Sequence, residues 1–224
     1  FIDMLSHEIK TPLQSLGTAT ELLMGRQSEL PESVRPLAET IHEDVERMKA
    51  VASELVQVTQ SPSKSLKINL QSVPLQQLIQ EWIRPFRIVG KDKNVKVEFC
   101  PPTSGTVVAR IDPVKFPWVI SNLLSNAIRF SPPGGTVEVC LESDDGLVRI
   151  EVLDEGPGIA EEDQSRMFDA FYQGHQAVET GKHGMFGIGL TIAKEVVEAH
   201  GGTIGYHGRS PHGSAFAIVL PAKG

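Results

Sequence analysis

The sequence predicts an α+β chain in two parts: a helical hairpin that pairs with a second copy as a four-helix bundle, then an α/β sandwich with helices on one face of a mixed sheet. Three observations carry this. Apolar residues recur at helical spacing from Ile2 to Leu55 with a single break. A compact polar stretch, Ser61-Pro62-Ser63-Lys64-Ser65, then stops the helix at its proline. Beyond it, alternating or β-branched runs take turns with helical ones.

In chain order, Ile2, Leu5, Ile9, Leu13, Leu16 and Leu23 fall within about 50° of the face opposite His7, so the histidine should face outward. A turn around Gly25 to Pro31 follows, and Leu37, Ile41, Met48, Val51, Ala52 and Leu55 make a second stripe. The two helices measure about 24 and 28 residues, or roughly 36 and 42 Å. A lone hairpin buries little apolar surface, which is why a dimeric four-helix bundle is expected. The domains expected are residues 1–60, a linker at 61–65, and residues 66–224. In the second part Val95 to Phe99, Thr136 to Leu141, Leu147 to Leu153, Thr203 to His207 and Ala215 to Leu220 read as strands. Gln76 to Val89, Pro113 to Phe130 and Leu190 to His200 read as helices, the last stopped by Gly201-Gly202. Pro117 should kink its helix unless it lies in the first turn.

Composition narrows the function. At 224 residues with a net charge of -7, the chain suits a packed core and lacks the clustered cations of a broad nucleic-acid surface. Cys100 and Cys140 are the only cysteines; their separation fits neither a CxxC metal site nor a disulfide scaffold, so both are expected to be reduced and buried. No apolar run approaches the roughly 18 residues of a membrane span. The chain opens at Phe1 inside a helical pattern without an initiator Met, so a fragment of a longer protein is expected.

Four clusters carry chemistry. Asn122, Asn126 and Arg129 stand at i, i+4 and i+7 of one helix, opposite Ile120, Leu123, Leu124, Ala127 and Ile128. Carboxamide oxygens suit a hard cation and the guanidinium suits phosphate oxygens; a solvated face with incidental asparagines is the alternative. A strand runs into Asp154-Glu155-Gly156-Pro157-Gly158, where a carboxylate can accept from an exocyclic amine, which adenine has and guanine lacks at the equivalent position. An ordinary turn explains the same residue types. Gly184, Gly187 and Gly189 precede a helix opening at Leu190, letting backbone amides approach an anion. Phe168 and Phe171 flank a segment from Tyr172 to Phe186 that reads as a lid or as a merely flexible loop. Finally, among the seven histidines His7 differs because its own helix turns it away from the apolar stripe, with the Glu8 carboxylate beside it to share the imidazole proton and Thr11 one turn on. His42, His175, His183, His200, His207 and His212 have no such setting and form no HExxH metal site.

Taken in order, Ser6-His7-Glu8-Ile9-Lys10-Thr11-Pro12, Asn122-Leu123-Leu124-Ser125-Asn126, Asp154 to Gly158 and Gly184 to Leu190 resemble the transmitter core of two-component sensor histidine kinases across essentially the whole chain. The resemblance implies a dimerisation and phosphotransfer hairpin followed by a GHKL-type ATP-binding domain. It implies ATP and Mg2+ as cofactors, His7 as phosphoacceptor and Glu8 as its acid/base partner. Asn122 would ligate magnesium, Asn126 and Arg129 would contact the nucleotide, and Asp154 would read adenine. Gly156, Gly158, Gly187 and Gly189 would shape the surrounding loops, with Phe168, Phe171 and Leu190 at the lid and helix start. Glu8 and Thr11 match an ExxT pattern used to dephosphorylate the response regulator, the partner whose aspartate receives the phosphoryl group. The implied setting is the cytoplasmic part of an inner-membrane sensor, attached through an N-terminal region. Arg129 replaces the family's usual Lys, and Met185 and Phe186 are bulkier than the family's usual residues. A nucleotide-binding dimer that regulates a partner without turnover is the rival reading, and an ATP-driven clamp without phosphotransfer is a third.

Overall fold

The computed structural model describes residues 2–60, 66–103, 105–174, 187–210 and 212–222, the side chains of 2–11, 27, 46, 47 and 50–60 lying outside that description. It divides into two compact units, Phe1–Leu66 and Lys67–Gly224.

In the first unit, α1 (Ile2–Gly25) and α2 (Arg35–Gln60) form a hairpin. Its connection is tied by the Arg35 guanidinium, which donates to the carbonyls of Leu30 at 3.1 Å and Ser28 at 3.3 Å. The intrachain seam differs from the expected stripe. Leu13, Gly17, Thr20, Ala38 and Val45 are the buried residues, while Leu16, Leu23, Leu37, Ile41 and Met48 remain exposed. Gly17 lies under the Lys49 side chain, where a Cβ would be 2.7 Å from Nζ, and Thr20 fills its place by donating to the Gly17 carbonyl at 2.9 Å and lying 3.2 Å from His42 Nδ1. The large apolar residues therefore form an outer face. The predicted outward direction of His7 falls on side chains outside the described residues, as do Ile2, Leu5, Ile9, Val51, Ala52 and Leu55.

The second unit is a five-stranded sheet of order β2-β4-β5-β7-β6 with helices packed on one face. Its strands are β2 (Lys96–Cys100), β4 (Thr136–Asp144), β5 (Leu147–Leu153), β6 (Thr203–Gly208) and β7 (Ser214–Pro221). Only β2 and β4 pair in parallel. Register builds apolar rows across the buried face, such as Val139, Val152 and Phe216, or Leu141, Ile150 and Ile218. Against them lie Leu75, Ile79 and Ile83 of α3 (Leu75–Asp92), one residue per turn, and Ile120, Leu123, Leu124, Ala127 and Ile128 of α4 (Phe116–Phe130). Ala193, Val196 and Val197 of a further helix, α6 (Gly189–Ala199), complete the layer. Truncating a core leucine such as Leu124, fully buried, costs about 2 to 5 kcal/mol.

The fold class is the one expected; three details differ. A second sheet pairs β1 (Gln71–Pro74) with β3 (Val108–Ile111), and a four-residue helix, α5 (Glu161–Gln164), follows β5. The helix carrying Asn122 starts at Phe116 instead of Pro113, because the Asp112 side chain accepts from the N–H groups of Val114 (2.9 Å) and Lys115 (3.1 Å) and holds a turn there. Pro117 thus lies in the first turn, where it disturbs no helical hydrogen bond.

Candidate functional site

Asn122, Asn126 and Arg129 occupy the half-buried side of α4. Burial lowers the Arg129 guanidinium from its ordinary value, yet a guanidinium stays charged at neutral pH. Next to this face stands the start of α6 (Gly189–Ala199). A Cβ added to Gly189 would lie 2.9 Å from Asn122 Oδ1, so the absent side chain is what lets the helix start against that carboxamide. Among the described residues no side chain caps this terminus, and Leu190 and its neighbours in the first turn offer N–H groups that the helix itself cannot satisfy.

Gly187 leads into the helix with φ +62, and a Cβ there would meet the Tyr172 carbonyl at 2.7 Å. Its own carbonyl accepts from the Phe171 N–H at 3.0 Å, and Thr191 donates its hydroxyl proton to the Phe168 carbonyl at 3.0 Å. Phe168 and Phe171 are thereby fastened to the start of α6. Phe171 itself sits at φ +67, a region that costs a non-glycine residue energy and persists where the surroundings enforce it. At the next residue the Tyr172 hydroxyl donates to Asp163 Oδ1 at 2.6 Å, and Gly174 fits under the same carboxylate, where a Cβ would lie 2.7 Å from Oδ2. The rest of the lid segment, including His175, His183, Gly184, Met185 and Phe186, lies outside the described residues.

Asp154 follows β5 and is 4% exposed. Its Oδ1 accepts from the N–H groups of Gly156 at 2.8 Å and Ser214 at 3.1 Å. Burial raises its carboxyl above the ordinary value, against those hydrogen bonds and the charge of Arg209. Gly156 cannot carry a side chain here: a Cβ would lie 2.9 Å from Asp154 Oδ1 and 3.3 Å from the carbonyl of Phe130, the last residue of α4. Gly158, at φ +80, closes the turn against the Gly213 carbonyl and the Tyr206 hydroxyl.

The acidic turn therefore abuts the carboxyl end of α4, and the glycine turn abuts its middle. Two of the clusters thus lie against the helix that carries the third, one at Phe130 and one at Asn122. His7, Glu8 and Thr11 lie on α1 in the other unit, with side chains outside the described residues. Sequence reasoning missed the residues that hold the frame: Thr191, Ser214, Arg209 and the Asp163–Tyr172 pair act through individual polar contacts that leave no periodic trace. The Gly213-Ser214 step before a strand was the one visible signal. His200 proves structural, as its lack of a catalytic setting suggested: it is buried, accepts the Asp112 N–H at Nε2 (2.9 Å) and contacts the Val196 carbonyl through Nδ1 (2.6 Å).

Comparison with known proteins places two family models on the chain. The His Kinase A (phospho-acceptor) domain matches residues 1–63, and the histidine kinase-, DNA gyrase B-, and HSP90-like ATPase matches residues 111–224. The sensor-like histidine kinase SenX3 of Mycobacterium tuberculosis is 30% identical over 222 residues, covering 99% of this chain and 53% of SenX3. The chain thus spans about half of that relative's length. Among solved structures, full-length ShkA in complex with AMPPNP has a TM-score of 0.69 at 24% identity, over 98% of this chain and 45% of that one. ThkA in complex with the response regulator protein TrrA has a TM-score of 0.63 at 22% identity, over 98% and 60%. Both likenesses concern the fold.

Proposed function

This chain belongs to the sensor histidine kinases of two-component systems, and from that premise we propose that it phosphorylates His7 from ATP and passes the phosphoryl group to an aspartate of a response regulator. The observation that carries the reading is the junction of Asn122 with Gly189, where a carboxamide oxygen meets a helix start that offers free N–H groups. Asn126 and Arg129 continue that face and bind phosphate oxygens. Asp154 accepts the adenine amine, and its buried carboxylate is held in place by Gly156 and Ser214. The donor set fits a magnesium ion, since a neutral amide oxygen is an ordinary hard-cation ligand and phosphates supply the rest. Bound at Asn122, that ion would neutralise phosphate charge.

On the hairpin, Glu8 takes the imidazole proton of His7 so that the other ring nitrogen attacks the γ-phosphorus. Thr11, one turn on, orients water toward a regulator's aspartyl phosphate and gives the chain a phosphatase activity as well. The exposed face of Leu16, Leu23, Leu37, Ile41 and Met48 meets its equal in a second copy, forming the four-helix bundle. ShkA, with its bound nucleotide analogue, and ThkA, with its bound regulator, support the choice of ligand and partner by fold alone.

The test is incubation with γ-labelled ATP and magnesium. Acid-labile, base-stable label that disappears in His7→Gln, with ATP binding retained, is expected. Label that persists in the variant refutes the acceptor assignment; nucleotide binding without any label favours a regulatory module that does not turn over.

A further inference from the structure

Cys100 and Cys140 have no part in the nucleotide reading, yet the fold sets them side by side. The parallel pairing of β2 with β4 places them directly opposite each other, on the sheet face away from the helices. Residues so opposed have Cα atoms about 4.8 Å apart, inside the roughly 4.4 to 6.8 Å that a disulfide spans. Both thiols are free and half-buried, which corrects the expectation of full burial. Burial, and then a hydrogen bond shared with Cys100, pushes the Cys140 thiol far above its ordinary value, with the charges of Glu138 and Glu151 adding to the effect. Cys100 is the reachable partner, since it lines a surface cavity of about 430 Å³ with Arg87, Lys96 and Phe99.

From Cys100 a line of polar contacts runs to the nucleotide end of the sheet. Its thiol donates to Glu138 Oε1 at 3.7 Å, and Glu138 Oε2 lies 3.6 Å from Arg209 Nη2. Arg209 Nη1 donates in turn to the Asp154 carbonyl at 3.2 Å.

We propose that Cys100 and Cys140 form a reversible intrachain disulfide when a peroxide is present, and that its formation is relayed through Glu138 and Arg209 to the turn that holds Asp154. The relay rests on the reading of Asp154 as a nucleotide contact; the disulfide does not. The Cys100 thiolate attacks one peroxide oxygen, the O–O bond breaks, and the leaving hydroxide takes a proton to become water. The Cys140 sulfur then attacks the Cys100 sulfur, and the S–O bond breaks as a second water departs with the Cys140 proton. Two thiols and one hydrogen peroxide thus yield one disulfide and two waters. Once it has formed, Glu138 loses its thiol donor and draws Arg209 closer, weakening the hold on the Asp154 carbonyl.

The experiment titrates the reduced chain with hydrogen peroxide and follows intact mass, cross-linked peptides, melting and ATP affinity. Expected are the loss of two hydrogen atoms, one Cys100–Cys140 peptide pair, reversal by dithiothreitol and a melting temperature higher by about 5 to 10 °C. ATP should bind the oxidised form roughly threefold more weakly. Cys140→Ser should instead gain an oxygen at Cys100 and show no melting shift. In Glu138→Gln the disulfide should still form, with the affinity change abolished. Two free thiols after treatment, or a bond between two chains, overturns the disulfide. Unchanged ATP affinity in the oxidised parent overturns the relay. A reduced chain that binds no ATP refutes the nucleotide reading and the relay with it, while mass and melting still decide the disulfide.

Discussion

Replacing Gly189 by alanine perturbs the proposed site through one added methyl group. The new Cβ would lie 2.9 Å from Asn122 Oδ1 and 3.4 Å from its Cγ, closer than side chains approach without something moving. Gly189 has a helical backbone, so alanine meets no dihedral strain there, and its helix propensity is up to about 1 kcal/mol better than glycine's. Folding stability should therefore stay level or rise slightly. The carboxamide, by contrast, must give way by a few tenths of an ångström, and its oxygen loses its aim at the proposed magnesium position. Losing one polar contact to a charged partner costs about 1.5 to 3 kcal/mol, so ATP affinity with magnesium should fall by roughly tenfold to a hundredfold. Calorimetry with a non-hydrolysable ATP analogue reads the affinity, and a melting curve on the same sample reads the fold. On an Asn122→Ala background the glycine substitution should be nearly silent, because the atom it displaces is gone. Affinity within twofold of the parent, at unchanged melting temperature, refutes the junction as the ligand site. Affinity and melting temperature that collapse together assign Gly189 to packing instead.

Thr11→Ala should keep autophosphorylation within a few fold while slowing dephosphorylation of the cognate regulator at least tenfold, about 1.4 kcal/mol of transition-state stabilisation; equal loss of both rates refutes the phosphatase role. Ile41→Glu puts a charge on the exposed apolar face of α2 and should weaken dimerisation by tenfold or more in sedimentation, and an unchanged dimer would remove that face from the interface. His200 supplies a pH dependence. Burial lowers its pKa, against the Val196 hydrogen bond and the Asp112 charge, with Lys115 also lowering it and Phe116 edge-on at 5.3 Å. The unfolded chain thus takes up this proton before the folded one does, so its contribution to stability is complete above the unfolded value of 6.5 and is lost as pH falls from there toward the folded value. The melting temperature should drop between pH 7.5 and 5.5, and the drop should be smaller in His200→Gln.

The parts of the fold that were legible are those where one periodicity runs long enough to be unambiguous. In α4, Val119, Ile120, Leu123, Leu124, Ala127 and Ile128 repeat at three and four residues, which named both the buried side and the opposite face with Asn122 and Asn126. Strands β4, β5 and β7 alternate or run β-branched. By contrast β1 and β3 span four residues each, with Pro74 in one, and their pairing is set by contacts distant in sequence. On the hairpin, hydrophobicity alone marked an apolar stripe with Leu13, Leu16 and Leu23, and did not tell which of them pack within the chain. The buried positions of the hairpin include Gly17 and Ala38, small residues that a hydrophobic count passes over. The glycines of the site were visible as residue types, but that Gly189 is reserved for Asn122 and Gly156 for Asp154 depends on which backbones meet. The cysteines were read from their separation, whereas their relation is one of strand register.

The neck between Phe171 and Gly187 bears on how such chains can diversify. The hydrogen bond from the Phe171 N–H to the Gly187 carbonyl makes the intervening segment begin and end at one place, with Gly174 additionally seated against Asp163. A segment closed at its base transmits no length to the frame around it. Doubling a loop costs only about 0.6 kcal/mol of closure entropy, so insertions or exchanges between residues 174 and 187 leave α4, α6 and the Asp154 turn in place. That stretch is where a shared nucleotide scaffold can acquire individual character, and a chimera should be cut at Gly174 and Gly187 to preserve both anchors.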